Sequence, residues 1–292
     1  MTDAVFSAAA LAASDVAEAL RRRTGTVCAG GENTFGDTQL VLDLEADRLI
    51  RKRLRECACV YACASEEFPD LEILNPEGTV VVSFDPIDGS SILDCNWTTG
   101  SIFSVWPKSV CSGGNWQPVT GRAQLAAGMT VFGNQTSLIW ADLVNSKLIS
   151  KSIESGVIKY DPFEKSTKST IFSPGNLKSA ADLPKYRELI NLWIERRLTL
   201  RYSGGLVPDI FHLLTKSNGI FCSPISEKAP AKLRLLFEVA PIAAIVEAAG
   251  GATAVVPGNR KSALDVVIHS PSDKCSLIAG SPKLVAEALS FL

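Results

Sequence analysis

The sequence predicts an α/β protein in two domains. Short apolar, β-branched runs bounded by glycine or proline recur through the first half, as strands do. After a polar stretch at 154–180, rich in Ser, Pro and Gly, the pattern changes to helix alternating with strand. Two of the early runs also stop abruptly on carboxylates. These observations divide the chain near 165, into an N-terminal α+β domain (1–165) and a C-terminal α/β domain (166–292).

Taken in order, residues 7–23 have helical spacing, with Leu11, Val16 and Leu20 on one side. Arg21, Arg22 and Arg23 close the last turn, where cations complement the dipole. Gly25, Gly30, Gly31 and Gly36 mark a loop. A second helical pattern then opens at Asp37-Thr38 and runs through Leu40, Leu44, Leu49, Ile50 and Leu54. Asp37 is a helix cap on the simplest view, but Asp43 lies early in the same helix and both could reach a cation at its start. The next run, Cys59–Ser65, is a small-residue strand that ends at Glu66-Glu67-Phe68-Pro69. Adjacent strand residues point to opposite faces, so Glu66 and Glu67 share one site only if the strand stops or is distorted there. An exposed acidic loop is the alternative.

Thr79–Phe84 reads as a buried strand between Gly78 and Pro86. Pro86 holds Asp85 extended and Gly89 lets the chain turn, so Asp85 and Asp88 converge just past the strand. Two hard oxygen ligands at one spot suit magnesium. Gly89, Ser90 and Ser91 follow as N–H groups and hydroxyls at a turn into a helix, a seat for a phosphate. An ordinary acidic turn uses the same residue types.

Further strands are expected at Ser101–Trp106, Ala127–Phe132 and Leu138–Leu143, with a turn at Gly113-Gly114-Asn115. The second half reads as a helix over 182–197, a short strand ending at Arg201-Tyr202, and a Ser203-Gly204-Gly205 turn into a helix from Val207. A strand at Ile220–Cys222 follows. Lys232 and Arg234 sit on one side of an extended segment before the apolar helix Leu235–Ala249, which Gly250-Gly251 closes. Glu238, in the first turn of that helix, either complements its dipole or joins a site.

With 292 residues, 46% hydrophobic and 21% charged, the chain has material for a sizeable core. A formal charge of −2 gives no electrostatic footprint for nucleic acid or an anionic membrane. No run approaches the roughly 20 apolar residues of a spanning helix, and the Ala-rich start lacks the basic region of a secretory signal. A cytoplasmic setting is expected, or a plastid if a transit peptide has been removed. The eight cysteines include no Cys-x-x-Cys and read as reduced, buried thiols, with zinc or a disulfide framework as the alternative. His212 and His269 are the only histidines, which leaves little for a Ser-His-Asp site and points to an oxygen-only metal site.

Singly, Asp37, Asp43, Glu66, Glu67, Asp85, Asp88 and Glu238 each have a harmless explanation. Together, beside a Gly-Ser-Ser turn, they would repel one another in a low-dielectric cleft unless divalent cations lay between them. A two- or three-metal phosphohydrolase is the economical reading.

The run Phe84-Asp-Pro-Ile-Asp-Gly-Ser-Ser91 resembles the signature of the magnesium-dependent, lithium-sensitive sugar phosphatases, the superfamily of inositol monophosphatase and fructose-1,6-bisphosphatase. Within it, Phe35–Gln39, Ser65–Glu67, Phe84–Asp94, Thr99–Phe103, Phe172–Asn176, Arg201–Asp209 and Lys232–Pro241 are similar, in order, to the sedoheptulose-1,7-bisphosphatase family. The resemblance implies a layered sugar-phosphatase fold of alternating helices and mixed sheets, with the site at the domain junction. It implies metal and phosphate binding in the first domain and substrate binding in the second, and hydrolysis of the 1-phosphate of sedoheptulose 1,7-bisphosphate with two or three Mg2+ per subunit, or Mn2+ in their place. Fructose-1,6-bisphosphatase or dual activity is the nearest alternative, and a catalytically silent sugar-phosphate sensor a remote one.

By the same resemblance Asp85, Asp88 and Glu238 are ligands of a first magnesium, Glu66 bridges to the others, the Ile87 carbonyl serves a second and Asp37 a third. Asp43 and Glu67 orient and deprotonate the attacking water, Gly89, Ser90 and Ser91 hold the phosphate, and Asp94 assists departure of the sugar oxygen. Asn176, Tyr202 and Lys232 contact the sugar and distal phosphate, Arg201 reaches in from a neighbouring subunit of a homodimer or homotetramer, and Arg234 belongs to the same substrate motif. The plastid enzymes carry two cysteines in the loop before Phe35, where Val27–Asn33 has only Cys28, so thioredoxin-type activation is not expected. The short N-terminal helix does not match an AMP-binding segment, so AMP inhibition is not expected either. Gly205 and Ser223 are small where fructose-1,6-bisphosphatase is bulkier, which suggests room for a seven-carbon chain.

Overall fold

The computed structural model describes residues 1–22, 28–32, 38–153, 156–157, 170–258, 260 and 262–292, with backbone alone at 28–32, 38–40 and 156–157. Asp37 and residues 158–169 lie outside the described residues. The larger sheet contains β1 (Val60–Ser65), β2 (Glu72–Ile73), β3 (Val80–Asp88), β4 (Thr99–Pro107), β5 (Ala126–Phe132), β6 (Thr136–Asp142), β7 (Lys147–Ser152) and β8 (Gly156–Val157), in the order β8-β7-β6-β5-β4-β3-β1-β2. β1 and β3 are parallel neighbours, whereas the other pairings of this sheet are antiparallel. The smaller sheet contains β9 (Ile171–Ser173), β10 (Thr199–Leu200), β11 (Ile220–Ser223), β12 (Ala252–Ala254) and β13 (Leu277–Gly280), in the order β10-β9-β11-β13-β12. Its strands β10, β9 and β11 run parallel.

Side-chain alternation sorts the helices into layers. Val80, Val82 and Phe84 of β3 pack with Phe103 and Val105 of β4 against α1 (Thr2–Arg21) and α2 (Val41–Arg55). Val81, Ile102 and Trp106 face the opposite way, onto helices α4 (Leu206–Lys216) and α5 (Ala240–Ala248). Those helices are covered on their far side by Phe221, Leu277 and Ala279 of the smaller sheet. The outer face of that sheet, through Phe172, Ile220, Cys222 and Ile278, packs on α3 (Pro184–Glu195) and α6 (Pro282–Phe291). The result is a layered α/β fold, helix–sheet–helix–sheet–helix, in two domains. With both faces covered, central strands such as Val80–Phe84 can be almost continuously apolar. Among the described residues no helix is long and apolar enough to cross a membrane.

Several expectations are corrected. The second helix begins at Val41, because Thr38–Leu40 pairs instead with Cys28–Glu32 as a strand. β3 does not end at Phe84 but continues through Asp88. Gly89 leads only into a 3-10 turn at Ser90–Ile92, since Asn96 soon takes a left-handed φ of 56° and breaks any helical run. The apolar helix starts as a π turn, Leu235–Val239, before α5. β9 lies inside the polar stretch and β12, β13 and α6 follow Gly251; the short strands owe their state to pairing rather than to their own periodicity.

Candidate metal and phosphate site

The carboxyl ends of the parallel neighbours β1 and β3 open together, which is where open α/β sheets place ligands. Asp85 and Asp88 are three apart, so in an unbroken strand they would point to opposite faces. β3 avoids this with a bulge: Asp85 is opposite Ile102 but Asp88 is opposite Gly100, one residue out of register. The extra residue flips the parity, and both carboxylates face the α4–α5 layer. Pro86, which has no N–H for the ladder, sits inside the bulge, and its carbonyl accepts a 2.6 Å hydrogen bond from Ser101 Oγ.

Each carboxylate is then held. Asp85 Oδ1 accepts from Ile87 N at 3.0 Å. Asp88 accepts from Leu206 N at 3.1 Å and Val207 N at 2.6 Å, the open donors at the start of α4. That docking depends on Gly100, where a Cβ would lie 2.3 Å from Val207 Cγ1. An isolated glycine inside a strand, as at Gly100, is the sequence signal for such close approach. Glu238 comes from the π turn before α5 and accepts from the Arg234 backbone N–H. Carboxylate oxygens of Asp85, Asp88 and Glu238 lie within 4.8 Å of one another, and all three side chains are buried.

Such crowding is costly without a cation. Burial, then the charges of Glu66, Asp88, Glu238 and Asp43, push the Asp85 carboxyl well above its ordinary range. Burial and the charges of Glu66 and Asp88 do the same to Glu238, against the opposing Arg234. Burial pushes Asp88 up to about 6 despite the N–H groups of Val207 and Leu206. A buried set of oxygen donors, without His or Cys, that disfavours its own ionisation fits a hard divalent cation.

The other expected residues fall into three groups. Glu66, just past β1, joins the cluster: its N–H donates to the Phe84 carbonyl at 3.1 Å and its Oε1 meets Arg234 Nε at 3.3 Å. Asp43 is buried on the first turn of α2, close enough for its charge to act on Asp85, and Glu67 is buried. Ile87 lies buried within the bulge.

A cavity of about 600 Å³ receives Asp88 and Glu238 on one wall, with Gly89, Ser90 and Ser91 beside them and Asn176, Tyr202 and Lys232 also lining it. Asn176 spends both amide hydrogens on the carbonyls of Pro224 and Ala229, at 2.9 and 3.1 Å, so within this chain only its Oδ1 is uncommitted to those bonds. The Tyr202 hydroxyl donates to the Gly175 carbonyl at 3.2 Å.

The third group lies elsewhere. Arg234 is only 2% exposed and braces Glu66, a different place from the substrate-facing one expected. Asp94 is exposed and lines a neighbouring hollow with Arg21 and Thr99. Arg201 lines another hollow, of about 640 Å³, on the outer side of α4 with Pro208 and His212; larger than the first, it holds none of the clustered acids. The described cysteines are unbridged, with Cys57 and Cys59 Sγ 3.4 Å apart.

A family model described as fructose-1-6-bisphosphatase, N-terminal domain, matches residues 3–147, and one described as its C-terminal domain matches residues 165–292. The chloroplastic sedoheptulose-1,7-bisphosphatase of Spinacia oleracea is 40% identical over 263 residues, 88% of this chain. The match spans 65% of that relative, less than two thirds of its length. The class 1 fructose-1,6-bisphosphatase of Pelobacter propionicus is 34% identical over 284 residues, 92% of this chain and 82% of that protein. A Toxoplasma gondii crystal structure provisionally assigned as a sedoheptulose-1,7 bisphosphatase has a TM-score of 0.87 at 36% identity, covering 99% of this chain and 93% of that one. Leishmania major fructose-1,6-bisphosphatase in holo form has a TM-score of 0.86 at 26% identity over 99% and 93% of the two chains.

Proposed function

We infer that this chain, which belongs to the fructose-1,6-bisphosphatase family, removes the 1-phosphate of sedoheptulose 1,7-bisphosphate by cation-dependent hydrolysis, leaving sedoheptulose 7-phosphate and phosphate. One observation carries the reading: Asp85, Asp88 and Glu238 meet beside a cavity that also receives the Gly89–Ser91 turn and Lys232. The heptulose is favoured over the hexose by the 40% identity to the spinach relative. Fructose 1,6-bisphosphate is the second reading, supported by the class 1 relatives. A silent sensor is disfavoured because the described ligand positions all keep their acids.

In this reading Asp85, Asp88 and Glu238 would hold a first Mg2+, for which Mn2+ would substitute. Glu66 would serve the further cations that the Ile87 carbonyl and Asp37 would help to hold. Bound cations would polarise the phosphoryl oxygens and stabilise the negative charge that builds on the departing oxygen. Asp43 and Glu67 orient the attacking water and take its proton, a role that suits carboxylates held at low exposure. The N–H groups and hydroxyls of Gly89, Ser90 and Ser91 hold the phosphate in line with that water. Asp94 assists the leaving oxygen.

Lys232 supplies a compact charge to the distal phosphate, with Asn176 and Tyr202 at the sugar. Arg234 sets the pose of Glu66. Arg201, on the outer hollow, serves a neighbouring subunit in a homodimer or homotetramer. The proposed domain boundary stays at 165, supported by family models that stop at 147 and resume at 165. Cytoplasm is the proposed compartment, with the plastid as the alternative that the chloroplastic relatives support.

Both small residues, Gly205 and Ser223, line the cavity, so their size bears on substrate length. A Cβ on Gly205 would also meet Pro208 Cγ at 3.0 Å and Asp88 Oδ2 at 3.3 Å, so its smallness serves the packing of α4 on the metal side as well. The reading as a whole is tested by phosphate release from both bisphosphates, with Mg2+ and with a chelator. Chelator-sensitive release, faster on the heptulose, is expected. Comparable rates on the hexose demote the named substrate, and no release from either overturns the reading.

A further inference from the structure

Arg51 lies one and two helical turns beyond Asp47 and Asp43 on the same face of α2, yet it is only 9% exposed and is not part of the acid cluster. Its guanidinium is used on several sides at once. Nε donates to Asp47 Oδ2 at 2.6 Å, and Nη1 to Glu72 Oε2 at 2.7 Å. Nη2 donates to Ser65 Oγ at 3.2 Å and to the Phe68 carbonyl at 3.3 Å. Ser65 and Phe68 are the two ends of the loop whose middle residues are Glu66 and Glu67. Those ends also close on each other: Ser65 N donates to the Phe68 carbonyl and Phe68 N donates to Ser65 Oγ, both at 3.0 Å.

The guanidinium carbon is also 5.6 Å from the ring centres of Phe68 and of Phe84, the residue before Asp85. Ser65 and Phe84 face α2, whereas Asp85 and Asp88 face the α4–α5 layer, so Arg51 acts from behind the sheet. A buried ion pair contributes little net stability compared with an apolar pair of the same volume. Its value here is geometric, since a planar fork fixes several acceptors at once and an ammonium does not.

We propose that Arg51, oriented by Asp47, is the positioning residue that holds the Ser65–Phe68 loop so that Glu66 and Glu67 meet the cation-binding cluster. The proposal rests on the functional reading above for what the loop serves, but its geometric core is testable without it. The test compares wild type with Arg51→Lys and with the double variant Asp47→Leu/Arg51→Met, which removes the buried pair and leaves Glu72 part-exposed and still paired with Arg55. Three quantities are read: amide hydrogen exchange at residues 66–68, Mn2+ binding to the substrate-free protein by electron paramagnetic resonance, and kcat against KM for the bisphosphate.

In both variants exchange at 66–68 rises about tenfold while the rest of the larger sheet keeps its protection. Mn2+ binds about 10- to 100-fold more weakly, the usual effect of losing an outer-shell partner. kcat falls with KM little changed. The lysine variant keeps the charge, so its failure to restore binding separates the fork from simple electrostatics; full restoration by lysine overturns the fork. Unchanged exchange and unchanged Mn2+ affinity in the double variant overturn the proposal. A wild type that binds no Mn2+ overturns the functional reading instead, and the exchange data still decide the role of Arg51.

Discussion

The two walls of the cavity are built alike and behave oppositely. On one side the parallel pair β1 and β3 ends in Glu66, Asp85 and Asp88; on the other the parallel pair β9 and β11 ends near Asn176 and Ser223. On the second wall two of the polar groups have found partners: Asn176 donates to the carbonyls of Pro224 and Ala229, and the Tyr202 hydroxyl donates to that of Gly175. On the first wall the acids push one another toward protonation. A satisfied wall can present a fixed shape to a sugar, whereas a self-repelling wall is unfavourable by design until cations arrive. Specificity and chemistry should therefore fail separately when either wall is changed.

The largest separation is expected from Asp85→Asn or Glu238→Gln. Either should lower phosphate release on the order of 10³-fold, the scale at which preorganised electrostatic groups act. The same substitution should raise the melting temperature in chelator, because it removes a buried charge from the cluster. Loss of both activity and chelated stability would show that the acids are structural partners, and the comparison would break.

A pH series sharpens the same point. Asp88 is raised from its ordinary 3.8 to about 6 by burial, so between those values the folded protein binds more protons than the unfolded chain. Stability of the cation-free protein must then fall as pH rises through that window, by up to about 3 kcal/mol from this group at the conversion of roughly 1.4 kcal/mol per pKa unit. Asp85 and Glu238, raised in the same direction, extend the decline. Thermal melts between pH 4 and 8 check it. Added Mg2+ should flatten the upper arm, and a curve that rises toward pH 8 without cation would refute the assignment.

On the other wall, Lys232→Met should raise KM for the bisphosphate about tenfold with kcat nearly kept, as loss of one charge-assisted contact would. The smallest expected effect is selective: Ser223→Tyr should lower heptulose turnover several-fold more than hexose turnover, an aromatic being a steric change of a few kcal/mol at most. Equal losses on the two sugars would remove Ser223 from the specificity wall.

Much of the chemistry was legible because it rests on residue type. Asp85 and Asp88 read as oxygen ligands from their place after a buried strand, whereas Glu66 and Glu238 read so only as part of the whole acidic set and through the family resemblance. The bulge was not legible. From sequence Pro86 and Gly89 explain a turn after Phe84, but β3 continues and changes parity within itself. Spacing alone puts Arg234 on one extended face with Lys232, while packing buries it against Glu66. Gly205 reads as room for substrate and does line the cavity, but its second role, letting Pro208 and Asp88 approach, has no local signal. The later strands β12 and β13 carry no periodic signal, because a three- or four-residue strand has too few positions for a period to appear.

Residue types and their order supply the chemical inventory: clustered carboxylates without histidine to match, a Gly-Ser-Ser turn beside them, and two domains' worth of alternating apolar segments. Convergence comes from the packing of the folded chain. Glu238 reaches Asp85 across a long stretch of chain because α5 packs on the larger sheet, and Asp88 meets α4 because Gly100 leaves room for Val207. Local preferences act over a few residues, whereas the approach of distant carboxylates is set by which faces the sheets bury, and no local pattern encodes that.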